Sequence, residues 1–143
     1  MDCAGLGIAA EELMSQNILF LAHVDESGKS LPRVAYEVLG AALDLVARVG
    51  GALTIGLIGE NIQNAADGLT STGARILGVS GAEVAHPRYS SDAAAAEAIC
   101  RAASPEIVIA PCTSRFLRVI PGVAQRMAGQ VDTHISFIET ADS

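Results

Sequence analysis

The sequence has no tryptophan and few aromatics of any kind, with two tyrosines and three phenylalanines. A core must therefore be assembled from Ala, Val, Ile and Leu, which suits close packing of helices on a sheet. Long hydrophobic runs are also missing. Charge or glycine interrupts each apolar stretch well before the roughly 20 residues a membrane span needs, and no basic segment precedes a short apolar one. Those two absences exclude the membrane-protein and secretory-leader readings and lead to the expectation of a cytoplasmic protein. Positive charge is scarce: nine Lys and Arg stand against sixteen acids, for a net charge of −7. The basic stripe that nucleic-acid phosphates require is absent, so nucleic acid is not an expected partner. Cysteine is sparse too. Cys3, Cys100 and Cys112 are far apart and form no CxxC pair, as expected of reduced structural thiols. His23, His86 and His134 never fall at the i, i+4 spacing of a helical metal pair, so no metal site is expected.

Half the residues are apolar, and 143 residues suit one domain around a single core. Residues 1–16, rich in Ala, Gly and acid, carry no strand pattern and are expected to form an N-terminal extension, leaving 17–143 as the domain. From there apolar runs alternate with helical patterns. Residues 17–24 (NILFLAHV) form a near-continuous apolar run, as in a strand covered on both faces. Beyond the turn at 25–29, Ser30 is placed to cap a helix with Pro32 in its first turn. Val34, Val38, Ala41, Leu45 and Val49 recur at helical spacing, leaving Glu37, Asp44 and Arg48 in water.

Gly50 and Gly51 end that helix, and residues 52–58 (ALTIGLI) read as a second buried strand. Past Gly59, a helix presents Ile62, Ala65, Ala66 and Leu69 on one side and stops at Gly73. Residues 75–80 give a third strand, and Ser90 or Ser91 is placed to cap an alanine-rich helix over 92–103 of high propensity. Pro105 introduces a fourth strand at 107–110. Residues 111–118 are expected to be loop or a single turn, because proline inside a helix costs about 3 kcal/mol and Pro121 fits best near a helix start. Residues 131–139 (VDTHISFIE) alternate as a last, more exposed strand.

The order βαβαβαβαβ, with right-handed crossovers, predicts an α/β fold: an open, mostly parallel five-stranded sheet with helices on both faces, a Rossmann-like three-layer sandwich. Ligands in such folds bind at the carboxyl ends of strands near the point where strand order reverses. The loop after the fourth strand carries the most chemistry there. Thr113 and Ser114 offer hydroxyls and Arg115 and Arg118 offer charge, all before a helix whose free N–H groups favour anions. The plainer alternative is that Thr113 or Ser114 caps the helix and the arginines are solvated. The segment Gly56-Leu-Ile-Gly59 lacks GxGxxG spacing, and no P-loop occurs. Cys112 and Ser114 have no G-x-S-x-G elbow around them, so catalysis by this chain is not expected.

Taken in order, the stretches NILFLAHVDESGKSLPRVAYEVLGAALDLVARVGG, IGENIQNAADGLTSTGARILGVSG, SPEIVIAPCTS and PGVAQRMAGQVDTHISFIE resemble the N-terminal domain of electron-transfer flavoprotein alpha subunits. The shared features are a first strand ending near a His, an E-x-L-G-A-A helix, a G-A-R turn and a P-x-x-V-x-x-x-x-T segment. The resemblance implies a scaffold and docking domain in flavin-mediated electron transfer from acyl-CoA or other dehydrogenases. Its partner would be a beta-type subunit of similar fold in a heterodimer, with FAD held in the complete alpha/beta complex. With the chain ending at Ser143, the family's FAD-binding domain is expected to be absent, and no cofactor is expected to bind this chain tightly. Thr113, Ser114, Arg115 and Arg118 are the candidates for any flavin or phosphate contact. An apolar patch left where a subunit docks would let the isolated domain homodimerise.

The chain departs from the family's T-S-x-G-R-D-x-x-P-R pattern. Thr113, Ser114, Pro121 and Arg126 fit it, whereas Phe116, Leu117 and Arg118 stand at its G-R-D, Gly122 follows Pro121, and His134 replaces a frequent Asp. The alternative from another class is a small adenine-nucleotide-binding domain of the universal-stress-protein type. Such proteins carry G-x-x-G-x(9)-G-[ST] after the fourth strand, and this chain does not.

Overall fold

The computed structural model describes residues 16–130. Residues 1–15 of the expected N-terminal extension and the expected fifth strand at 131–139 lie outside the described residues. Within them, four strands, β1 (Asn17–His23), β2 (Ala52–Gly59), β3 (Arg75–Ser80) and β4 (Ile107–Ile109), form one parallel sheet in the order β3-β2-β1-β4. Helices α1 (Arg33–Val49), α2 (Gln63–Gly68), α3 (Tyr89–Ala103) and α4 (Ser114–Arg126) connect or follow them. The sheet thus has four strands among the described residues rather than five, and the three-layer α/β architecture holds.

β1 is central, and after Asn17 every residue in it is buried, which explains its unbroken apolar run. Alternate side chains feed opposite layers. Ile18, Phe20 and Ala22 pack with α1 and α2, while Leu19 and Leu21 pack with α3 and α4. Each fully buried aliphatic or Phe side chain is worth roughly 1.5–3 kcal/mol. Close approach on the second side depends on Gly56 in β2, where a Cβ would sit 2.7 Å from Ile99 Cγ2 of α3 and 2.9 Å from Leu21 Cδ2.

Local signals set several boundaries as expected. α1 ends at Gly50, whose φ of 69° is the left-handed region that favours glycine, and its N–H donates to the Val46 carbonyl. Three expectations are corrected. The buried face of α1 is Ala35, Leu39, Ala42 and Leu45, while Val34 is exposed and Val38 and Val49 are half-buried. Two overlapping apolar stripes compete on this helix. The sheet selects the one with small alanines, which lets the helix axis come closer.

Neither helix start uses the serine expected to cap it. Pro32 precedes α1, and the Ser30 hydroxyl donates instead to Asp25 at 2.7 Å. α3 begins at Tyr89 after Arg88, with no side-chain cap from Ser90 or Ser91. Finally, residues 114–118 are helical, and Pro121 lies inside α4. Burial of Phe116, Val119 and Val123 along one stripe of α4 offsets the lost backbone bond, and Pro121 itself lies on the exposed side.

Candidate functional site

The carboxyl ends of the four strands share one edge of the sheet. α1 and α2 cover one face and α3 and α4 the other, so connections leave in opposite directions on either side of the β1/β4 boundary. This is the position where doubly wound sheets place ligands. The loop after β1 is held locally. Asp25 accepts from the Ser27 hydroxyl at 2.5 Å and N–H at 3.0 Å and from the Ser30 hydroxyl at 2.7 Å. Those hydroxyls hold the Asp25 carboxyl below its ordinary pKa.

Beneath this edge lies a buried polar cluster, and it includes one of the four residues expected from the sequence. Asp92, in the first turn of α3, has a side chain only 2% exposed. Arg115, in the first turn of α4, grips it with both ends of the guanidinium, Nε to Oδ2 at 2.6 Å and Nη2 to Oδ1 at 2.7 Å. The same Nη2 donates to the carbonyls of Val84 at 2.9 Å and His86 at 3.2 Å. A bidentate arginine pair of this kind is among the stronger charge-assisted contacts. One side chain thereby ties α4 to α3 and to the β3–α3 loop.

His23, the last residue of β1, completes the cluster. Its ring lies 4.4 Å from that of Phe116, its Nε2 is 3.8 Å from Asp92 Oδ1, and that nitrogen has no hydrogen-bond partner. Burial, reinforced by the Arg115 charge and opposed by Asp92, lowers the His23 pKa to about 4. The imidazole is therefore neutral at ordinary pH.

The other expected residues have different surroundings. The Thr113 hydroxyl accepts from the Phe116 N–H at 3.2 Å and caps α4, as the plainer reading had it. Ser114 and Arg118 are exposed. Cys112 is exposed, while Cys100 is buried, and burial raises its pKa, as for an inert structural thiol.

Sequence reasoning missed Asp92. The signal was available: Asp92, Ala96, Ile99 and Ala103 fall on one helical stripe, so the acid sits on the face that meets the sheet. A carboxylate there demands a cation.

A sizeable concavity lies elsewhere. A groove of about 1120 Å³ runs along β4, the edge strand among the described residues, between α1 and α4, lined by Val34, Val38, Ala41, Val108, Leu117 and Ile120 among others. It reaches Cys112 and Phe116 but not His23, Asp92 or Arg115. Among the described residues no group of His, Cys, Asp and Glu is arranged to hold a metal, and no helix is long and apolar enough to cross a membrane.

The family model for the electron transfer flavoprotein domain matches residues 21–143, a span from within β1 past the end of α4. The chain belongs to the electron transfer flavoprotein domain family. Among curated proteins none matches it. The electron transfer flavoprotein match covers His23, Asp92 and Arg115 together with the loop at 111–118, so the whole strand-end region lies within the family's domain.

Proposed function

We propose that this chain is an alpha-subunit-like scaffold and docking domain in flavin-mediated electron transfer from dehydrogenases. It pairs with a beta-type subunit in a heterodimer, acts in the cytoplasm and performs no catalysis alone. The family match and the alpha-type order of motifs support the reading.

One structural observation carries it against the alternative of an adenine-nucleotide-binding domain. The cation best placed to meet a phosphate, Arg115, is engaged by Asp92 and two backbone carbonyls. The Thr113 hydroxyl is likewise engaged at the start of α4. Pyrophosphate recognition needs free donors or a glycine-rich loop that lets backbone amides approach. Arg115 and Thr113 do not fit that need, Ser114 and Arg118 stay exposed for contacts in an assembly, and the flavin is assigned to the complete complex.

Co-expression with a beta-type electron-transfer flavoprotein subunit, followed by size-exclusion chromatography and light scattering, tests the proposal. The expected result is a one-to-one complex. Two non-interacting species would overturn it.

A further inference from the structure

The cluster beneath the strand ends joins four parts of the fold drawn from three separate stretches of the sequence. His23 ends β1, Asp92 opens α3, Arg115 opens α4, and the carbonyls of Val84 and His86 belong to the β3–α3 loop. All three polar side chains are largely buried, with exposures of 9%, 2% and 17% for His23, Asp92 and Arg115. Their hydrogen bonding is uneven. Asp92 accepts twice from Arg115, whereas His23 Nε2 faces the same carboxylate without a bond.

We propose that His23, Asp92 and Arg115 form an acid-sensitive latch, in which a neutral His23 leaves Asp92 to Arg115 and protonation of His23 releases the β3–α3 loop and the start of α4.

The argument is one of competition for a single carboxylate. A second cation at His23 Nε2, 3.8 Å from Oδ1, would be drawn toward Asp92 and would repel the guanidinium that already occupies it. Arg115 would then lose the partner that aims its Nη2 at the Val84 and His86 carbonyls. The charged groups acting on His23 are Arg115 from α4 and Asp92 from α3. Phe116, the ring against its face, supplies no compensating charge. Asp25, two residues along the chain, is held by Ser27 and Ser30. Neither Phe116 nor Asp25 partners a charged His23, so its pairing draws Asp92 from Arg115, because a buried charge is tolerated only when paired.

The test uses the whole chain and nuclear magnetic resonance. The His23 imidazole is titrated from about pH 6.5 down through pH 4 while amide protection is followed at Val84, Ala85, Phe116 and Leu117, whose N–H groups are hydrogen-bonded. In the wild type the latch predicts at least about a tenfold loss of protection at those amides with the same midpoint as the imidazole. The β2 and β3 amides should hold. His23→Phe keeps the packing against Phe116 and should abolish the loss. The proposal is overturned if His23→Phe loses protection to the same extent, or if the loop amides open with a midpoint unrelated to that of His23. The second readout needs only the wild type, so a poorly folded variant does not blunt the test.

Discussion

The two faces of this sheet are covered by different means. The α1 and α2 side is aliphatic apart from Phe20: Ile18, Phe20, Ala22, Ile55 and Leu57 meet Ala35, Leu39, Ala42 and Leu45. The α3 and α4 side has a comparable aliphatic layer, but a histidine, an aspartate and an arginine are set into its strand-end corner. Apolar packing is non-directional and insensitive to pH, whereas a buried ion pair is directional and fails when one partner is removed. The first face therefore fixes the scaffold, and the second fixes how the strand-end loops sit on it.

The largest test of that contrast is Asp92→Ala. Leaving Arg115 without its carboxylate should cost about 3–5 kcal/mol in urea unfolding, toward the lower end because the guanidinium is 17% exposed. Next, Leu39→Ala on the other face should cost about 2–5 kcal/mol, the lost transfer energy plus a cavity. That cost should be the same at pH 7 and pH 5, and a marked pH dependence would erase the distinction between the faces.

Acid titration of unfolding separates the faces directly. The unfolded His23 takes a proton near 6.5 and the folded one near 4, so the folded state binds fewer protons between those values. The contribution of His23 is complete above about pH 6.5 and is lost as pH falls toward 4. At 1.36 kcal/mol per unit that loss is on the order of 3 kcal/mol. His23→Phe should flatten this part of the stability curve. The smallest effect is expected at Pro121, exposed within α4. Pro121→Ala restores an N–H to the helix and should stabilise the chain by about 1 kcal/mol, read as a rise in urea midpoint.

How far the fold was legible follows from the same contrast. β1 and β2 were readable because buried parallel strands are continuous apolar runs, and Gly50 marked a helix end because its φ demands it. Helix starts were less legible. Serines at 30, 90 and 91 have the right chemistry for caps, yet tertiary packing set the boundaries at Pro32 and Arg88. α4 was shortened in expectation because Pro121 is a local signal, whereas the burial of Phe116, Val119 and Val123 that overrides it is not. The polar cluster was the least readable. Thr113 and Arg115 stood out by residue type, but Arg115 meets a partner 23 residues away and His23, at the end of β1, faces that same Asp92 on α3. Only the sheet order brings them together.

Docking also organises the surface between α3 and α4. Glu97 accepts from Arg101 on its own helix and from Arg126 on α4 at 3.1 Å, which holds its carboxyl below the ordinary pKa. These contacts are exposed, and exposed pairs contribute little, so the buried Asp92–Arg115 pair is the one that sets the helix starts.

The most direct test of the central claim is calorimetry of the purified chain with AMP and with FAD, first alone and then mixed with a beta-type subunit. With Arg115 and Thr113 engaged within the fold, the account predicts no binding heat for either ligand on the chain alone and FAD binding in the mixture. Micromolar AMP binding by the chain alone would contradict it and make the strand-end loops a nucleotide site.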